Sequence, residues 1–311
     1  MPTNVDLQLN QPSATRAPAG RAIVNFSSDR VAGQLLTLPA SGWLAICVVL
    51  PIAMMVVYSL FGTVRNELGA LTLEHHQAVA ESPVFQGLFL RTLGVTILVT
   101  GVCLVLALPV AYYLSVRSRH APILLTLLLL PYLIGYIPRL LAIRLILGAD
   151  GLLGTIISTL GISSEIVRPL LFTKVGTVIG LVYVQLPVMI ILSYLAIERL
   201  DRRLLDAAAD LGASSAYAFF TVVVPNARGG IAAGAILVGA TTYGAYVEPA
   251  LLGGASGQLA GNVIAQRFVV FFDWGRGSAL AIGALLVIAL FALAVIALSG
   301  AVGRVRVARA G

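Results

Sequence analysis

Apolar residues run almost unbroken through six stretches of the chain, at about Trp43 to Phe61, Thr92 to Val116, Ile123 to Leu147, Val175 to Ile197, Gly230 to Leu252 and Ser278 to Val302. Each approaches the roughly 20 residues that a helix needs to cross a hydrocarbon core. The pattern predicts an all-α membrane protein with six spans. The first run lies too far from the start, and is too long, to be a cleavable signal, so it is expected to remain as an anchor. Before it, residues 1–38 are rich in Pro, Ser, Thr, Asn and Gln without an apolar period, which predicts a disordered tail. Pro51, Pro109, Pro131, Pro138 and Pro187 fall within spans; each lacks an N–H and crowds the preceding turn, so kinks are expected. Residues 150–162 and 258–272 are apolar and Gly-punctuated but too short to span. They are expected to lie in the interface or to fold back on the bundle.

Composition supports the bilayer as main solvent. With 59% hydrophobic and 11% charged residues and a mean hydropathy of +0.98, the chain has too little polar surface to cover a water-soluble globule. Cys47 and Cys103 both sit in apolar runs, which predicts packing roles and no disulfide framework. The formal charge of +7 brings no nucleic acid into the picture, because the basic residues cluster beside the spans. Twelve arginines (16, 21, 30, 117, 119, 199, 202, 203, 228, 304, 306 and 309) fall on one side of a six-span topology. Six basic residues (Arg65, Arg91, Arg168, Lys174, Arg267 and Arg276) fall on the other. The positive-inside rule then places both termini, the 198–229 loop and the short basic tail 304–311 in the cytoplasm. The permease domain is read as residues 39–303.

Several chemistries are missing. Lys174 is the only lysine, and its context, FTKVG, lacks the glycine spacing of a phosphate-cradling loop, so the chain is not expected to hydrolyse ATP. His75, His76 and His120 have no Cys or carboxylate at ligand spacing, which predicts solvated loop histidines and no metal site. No nucleophile, base and acid stand together as a catalytic set. Ion coupling would call for buried ionisable groups or broken helices at midplane, and neither is evident in the sequence. An ion-coupled secondary transporter and a non-transporting scaffold are the alternatives.

Inside the spans the ionisable residues are Arg139, Arg144 and Glu248, each costing roughly 2.5–3.5 kcal/mol at the membrane centre. Counted up their spans, Arg139 and Glu248 reach the same level, about 17 residues in. Facing a wet vestibule, snorkelling to the interface and pairing with each other are the three ways to accommodate them. Tyr136, Tyr183, Gln185, Tyr243 and Tyr246 are the polar or aromatic residues that could line a path beside them.

The remaining signal is the one long polar helical stretch between two spans, DAAADLGASSAYAFFTVVVP at 206–225. Leu204 to Leu211 are good helix formers with acids early, Gly212 supplies a left-handed or crowded position, Ser214 or Ser215 can cap a second helix, and Pro225 is expected to halt it. Ala207 and Ala208 leave room for a partner backbone. Asp206, Ala207, Ala208, Gly212, Val222, Val224 and Pro225 match the spacing E-A-A, three residues, G, nine residues, I-x-L-P. This stretch resembles the coupling loop of permease subunits in binding-protein-dependent ABC importers, with Asp206 where the family usually has Glu. PYLIGYIPRLLAIRLILGADGLLG (131–154), YGAYVEPALLGG (243–254) and DWGRGSAL (273–280) are similar to segments of the spermidine/putrescine-like group, whose relatives also include permeases for opines and phosphonates.

The resemblance implies a type I importer permease fold in a bacterial inner membrane. It also implies two ATPase subunits that bind ATP and Mg, a second permease subunit (a paralogue or another copy) and an external solute-binding protein. This chain would hold no cofactor itself. Within the resembled segments Arg144 replaces an apolar residue and Ala245 an acid, which opens anionic or zwitterionic solutes beside polyamines.

Overall fold

The computed structural model describes residues 26–64, 67–148, 150–163, 167 and 170–307. The chain divides into two compact units, Met1–Ile52 and Ala53–Gly311. Helix α1 (Phe26–Leu60) starts in the first and begins inside the segment expected to be a disordered tail; residues 1–25 lie outside the described residues. Trp43, Leu44 and Val49 on α1 are exposed, as is Cys47.

Among the described residues of the second unit, a short antiparallel hairpin opens the order, β1 (Phe61–Val64) with β2 (Glu67–Leu71), Val64 opposite Glu67. Helices α2 (Glu74–Glu81), α3 (Pro83–Tyr112), α4 (Ala121–Leu129), α5 (Tyr136–Leu147) and α6 (Leu152–Thr159) follow. After them come α7 (Lys174–Glu198), α8 (Arg203–Asp210), α9 (Ser215–Ala218), α10 (Val224–Tyr243), α11 (Ala260–Val269) and α12 (Trp274–Val307). Three π-turns interrupt this order at Tyr113–Arg117, Phe219–Val223 and Pro249–Gly253.

Six helical stretches among the described residues are long and apolar enough to cross a membrane: Ser41–Leu60, Pro83–Arg117, Tyr136–Thr159, Lys174–Glu198, Ser215–Tyr243 and Trp274–Ala301. The number agrees with the apolar pattern. Several boundaries do not: the second span starts at Pro83 rather than Thr92, nine residues early, and the third reaches Thr159, taking in most of the segment 150–162 expected to lie outside the spans. The run at 123–147 is not one helix: α4 gives way to a 3-10 turn at Leu130–Leu133, the chain extends through Ile134 and Gly135, and α5 starts afresh at Tyr136. Pro131 and Pro138 flank this break and forbid continuous pairing across it, whereas α3 and α7 run on past Pro109 and Pro187. The fifth span likewise starts earlier, at Ser215, and stops at Tyr243, where Gly244 to Tyr246 leave the helix. Broken spans are therefore present, contrary to expectation, because hydropathy is blind to a turn built from apolar residues.

The main core lies between α3, α7 and α10. Val99, Cys103 and Ala107 meet Leu181, Met189 and Ile190, and Val223, Ile231 and Val238 close the third side. Small residues let the backbones approach, as expected where lipid and leucine are equally apolar and packing alone brings helices together. Gly176 shows this best: a Cβ there would stand 2.7 Å from the carbonyl oxygens of Leu170 and Leu252. That contact holds the segment after α10 against the start of α7.

Of the two outer apolar segments, 258–272 folds back on the bundle. Its helix α11 packs on α12 and α3, with Ala260 and Asn262 buried, and the Ala260 N–H donates to Thr92 Oγ1 at 2.9 Å. Helix α6 instead leaves Leu152, Ile156 and Leu160 exposed. His75 is not a solvated loop residue: it lies on α2 over Gly275, where a Cβ would collide with the imidazole. No cluster of metal-ligating side chains occurs among the described residues.

Candidate functional site

The loop between α7 and α10 forms a compact helix pair. Asp201 starts it, accepting the Arg203 N–H at 3.0 Å, and α8 runs to Asp210. Its end is a Schellman motif: Ala213 N–H donates to Ala208 C=O at 3.0 Å, and Gly212 N–H to Ala209 C=O at 2.8 Å. Gly212 makes this possible with φ +79°, a left-handed conformation that a Cβ penalises. Its surroundings are open rather than crowded: among the described residues, nothing lies within 4 Å of where a Cβ would stand. Ser214 then caps α9, its Oγ accepting the Tyr217 N–H at 3.3 Å.

Pro225 does not halt the second helix. Residues Phe219–Val223 form a π-turn, and Pro225 falls in the first turn of α10, where a missing N–H costs little. The segment from Ser215 and the fifth span are consequently one continuous helical stretch to Tyr243. An open cavity of about 680 Å³ faces outward between α8 and α9, lined by Ala208, Leu211, Gly212, Ser214, Tyr217 and Val222 among others. Leu211 is 89% exposed and Tyr217 64%, a large apolar display on a loop this polar. Asp206 and Ala207 are exposed on α8, while Val224 packs against the core and Pro225 is half-buried. The spaced residues thus divide: Ala208, Gly212 and Val222 share the cavity, and Val224 and Pro225 belong to the bundle side.

The cap gives a direct test. Ser214→Ala removes an N-cap worth about 1 kcal/mol, so the Tyr217 amide is expected to exchange with deuterium several-fold faster while α7 and α10 stay protected. Unchanged exchange at Tyr217 would show that the cap does not hold α9.

A second constellation lies where two spans break. Tyr136, the first residue of α5, donates its hydroxyl to Glu248 Oε1 at 2.5 Å. The Arg139 guanidinium lies 4.3 Å from the centroid of the Tyr132 ring and 5.5 Å from that of Tyr136. Tyr132 in turn donates to the Val184 carbonyl on α7. Glu248 is 2% exposed and Arg139 6%, so neither snorkels. No ion pair joins them among the described residues; Tyr136 stands between, giving its hydroxyl to the acid and its ring to the base. Glu248 Oε2 and Arg139 Nε have no hydrogen-bond partner among the described residues. Burying such groups without full pairing is costly, and they concentrate at functional positions.

The other candidates scatter. Arg144 stacks over Phe172 at 4.9 Å beside a cavity it shares with Asp150. Tyr243 is 1% exposed and packs with Leu88, Ala260 and Ala284. Tyr246 is exposed at the break after α10. Gln185 ties α7 to α10 through Thr241 Oγ1 and the Val238 carbonyl, and Tyr183 packs beside Leu140 and Leu252. Tyr132 was not among the expected residues; its signal is the spacing Tyr132, Tyr136, Arg139 around a Gly-Pro break, which stacks rings on a guanidinium.

Residues 102–309 match the family described as binding-protein-dependent transport system inner membrane component. The chain belongs to this family: it is a multi-pass inner-membrane permease subunit of a binding-protein-dependent ABC importer, with ATP hydrolysis left to a separate subunit. It is 37% identical over 221 residues to the spermidine/putrescine transport permease PotB of Haemophilus influenzae, covering 71% of this chain and 77% of that one. With PotB of Escherichia coli K12 the identity is 34% over 257 residues, covering 81% and 92%. The fold is that of a bacterial ABC transporter for alginate, with a TM-score of 0.65 over 88% of this chain and 96% of the other at 16% identity. A second structure of that transporter, in complex with an alginate pentasaccharide-bound periplasmic protein, gives 0.67.

Proposed function

We propose that this permease works with two ATPase subunits and a second permease subunit, and receives a small polar organic solute from an external binding protein. The observation that carries the reading is the Schellman-ended helix pair 203–218, with its open cavity and exposed Leu211 and Tyr217. A rigid, apolar knob of this kind fits a groove on an ATPase. Because its second helix continues without a break into α10, closure of the ATPases would move the fifth span directly. ATP and Mg would be held by those subunits. With the loop seated on them, both termini lie in the cytoplasm, in keeping with the arginine excess on that side.

Tyr136, Arg139 and Glu248 form the candidate gate of the path: a buried, incompletely paired cluster at the junction of two broken spans is where a solute could exchange partners with the protein. The spermidine/putrescine relatives support a polyamine-like solute. Purification of the tagged chain from its own host checks the assembly. An ATPase is expected to copurify, and the binding protein loaded with its solute to stimulate ATP hydrolysis. A preparation that lacks any ATPase under mild detergent sinks the reading; opine- or phosphonate-loaded binding protein in place of polyamine would change the solute alone.

A further inference from the structure

The loop is also bonded sideways. Arg202, at the start of α8, donates from Nη2 to the Ser115 carbonyl at 3.2 Å. Arg117 donates in the opposite sense, from Nη2 to Ser215 Oγ at 3.0 Å, at the start of α9. Tyr112 and Phe219 meet edge to face between these bonds, with centroids 5.2 Å apart. Ser115 and Arg117 lie in the π-turn that ends the second span, and Phe219 opens the π-turn within the first turns of the fifth.

A π-turn carries one extra residue, so its hydrogen bonds reach back five positions: Ser118 N–H to Tyr113 C=O at 3.0 Å, and Val224 N–H to Phe219 C=O. Such a turn is a local fault in a rod and the place where it rotates or bends. Two faults facing each other, cross-bonded in both directions, make a joint. The Ser115 carbonyl belongs to the end of a helix, where carbonyls lack intrahelical partners and cations are favoured, so an arginine suits the position.

We propose that Arg117 and Arg202 are positioning residues that clamp the coupling loop to the end of the second span, so that a push from the ATPase enters the second and fifth spans together. This rests on the loop being the ATPase seat. Without the clamp, the fifth span would still be moved through its continuity with α9, but the second would lag and the bundle would not switch as a unit.

Both bonds are solvent-exposed, so their loss should cost little stability. That separates the proposal from a merely structural role. In the complete transporter reconstituted with its binding protein, Arg202→Ala is expected to lower solute transported per ATP hydrolysed by roughly tenfold, with copurified ATPase and thermal midpoint unchanged. Ser215→Ala, which removes the acceptor for Arg117, is expected to lower the same ratio in part. Ser115→Ala is the control: the acceptor is its backbone carbonyl, so the ratio should stay at the wild-type value. Arg202→Lys, which keeps a cationic donor, should recover part of the loss. An unchanged ratio in Arg202→Ala, or a loss in Ser115→Ala equal to that in Arg202→Ala, overturns the clamp. Loss of the ATPase from the Arg202→Ala preparation also overturns it, since the residue would then be part of the seat. The seat itself is judged separately by a Gly212 variant.

Discussion

Gly212→Trp is expected to abolish solute-stimulated ATP hydrolysis in the assembled transporter while the chain still inserts and folds. Two effects combine. A side chain at φ +79° strains the backbone by roughly 1–2 kcal/mol, which loosens the Schellman turn that sets α8 against α9. The larger effect is external. Among the described residues nothing lies within 4 Å of where a Cβ at Gly212 would stand, and Gly212 lines the cavity with Leu211 and Tyr217, so an indole is expected to fill space where a partner would seat. Gly212→Asn isolates the first effect, because asparagine tolerates the left-handed region; it should keep most of the stimulation. ATP hydrolysis by the purified complex, with and without loaded binding protein, measures both. Full stimulation in the tryptophan variant would remove the loop from the coupling path.

The second large effect is expected at the buried cluster. Tyr136→Phe deletes the hydroxyl that satisfies Glu248 Oε1, leaving the carboxyl with neither oxygen partnered, a cost of roughly 1–3 kcal/mol. Glu248→Gln keeps an acceptor for Tyr136 but removes the charge. Each single change is expected to reduce uptake by about tenfold with normal insertion, and the double change by little more than either. Uptake into vesicles, normalised to inserted protein, reads this out. Additive losses would mean that the two residues act apart. Indifference of uptake to Glu248→Gln would end the gate assignment.

The legible and illegible parts of this chain divide along physical lines. Span number and the helix–turn–helix of the 203–218 loop are written in one dimension, as run length and as fixed spacing. Gly212 and Ser214 were readable because a helix end has few solutions, and those residue types are among them. The break at Ile134–Gly135 was not, since apolar side chains hide a non-helical backbone from any hydropathy measure, although Pro131, Gly135 and Pro138 were in view. Pro225 misled because proline stops a helix only from inside; at the first turn after a π-turn it is tolerated. Arg139 and Glu248 stand out as ionisable residues in apolar runs, but the count that puts them at one level starts from span ends that the structure moves to Tyr136 and Ser215. Tyr136 as the group between them depends on how two segments face each other. Arg202 offered no signal at all. One of many arginines near the loop, it is distinguished only by the carbonyl it reaches.

The break before α5 has one more consequence. Ile134 and Gly135 adopt extended backbone and are exposed on this subunit alone. Peptide groups outside a helix cannot rest against acyl chains, which offer them no hydrogen bonds. Ile134 and Gly135 stand just before the third span, which begins at Tyr136, so their peptide groups are expected to meet water, headgroups or another subunit rather than acyl chains.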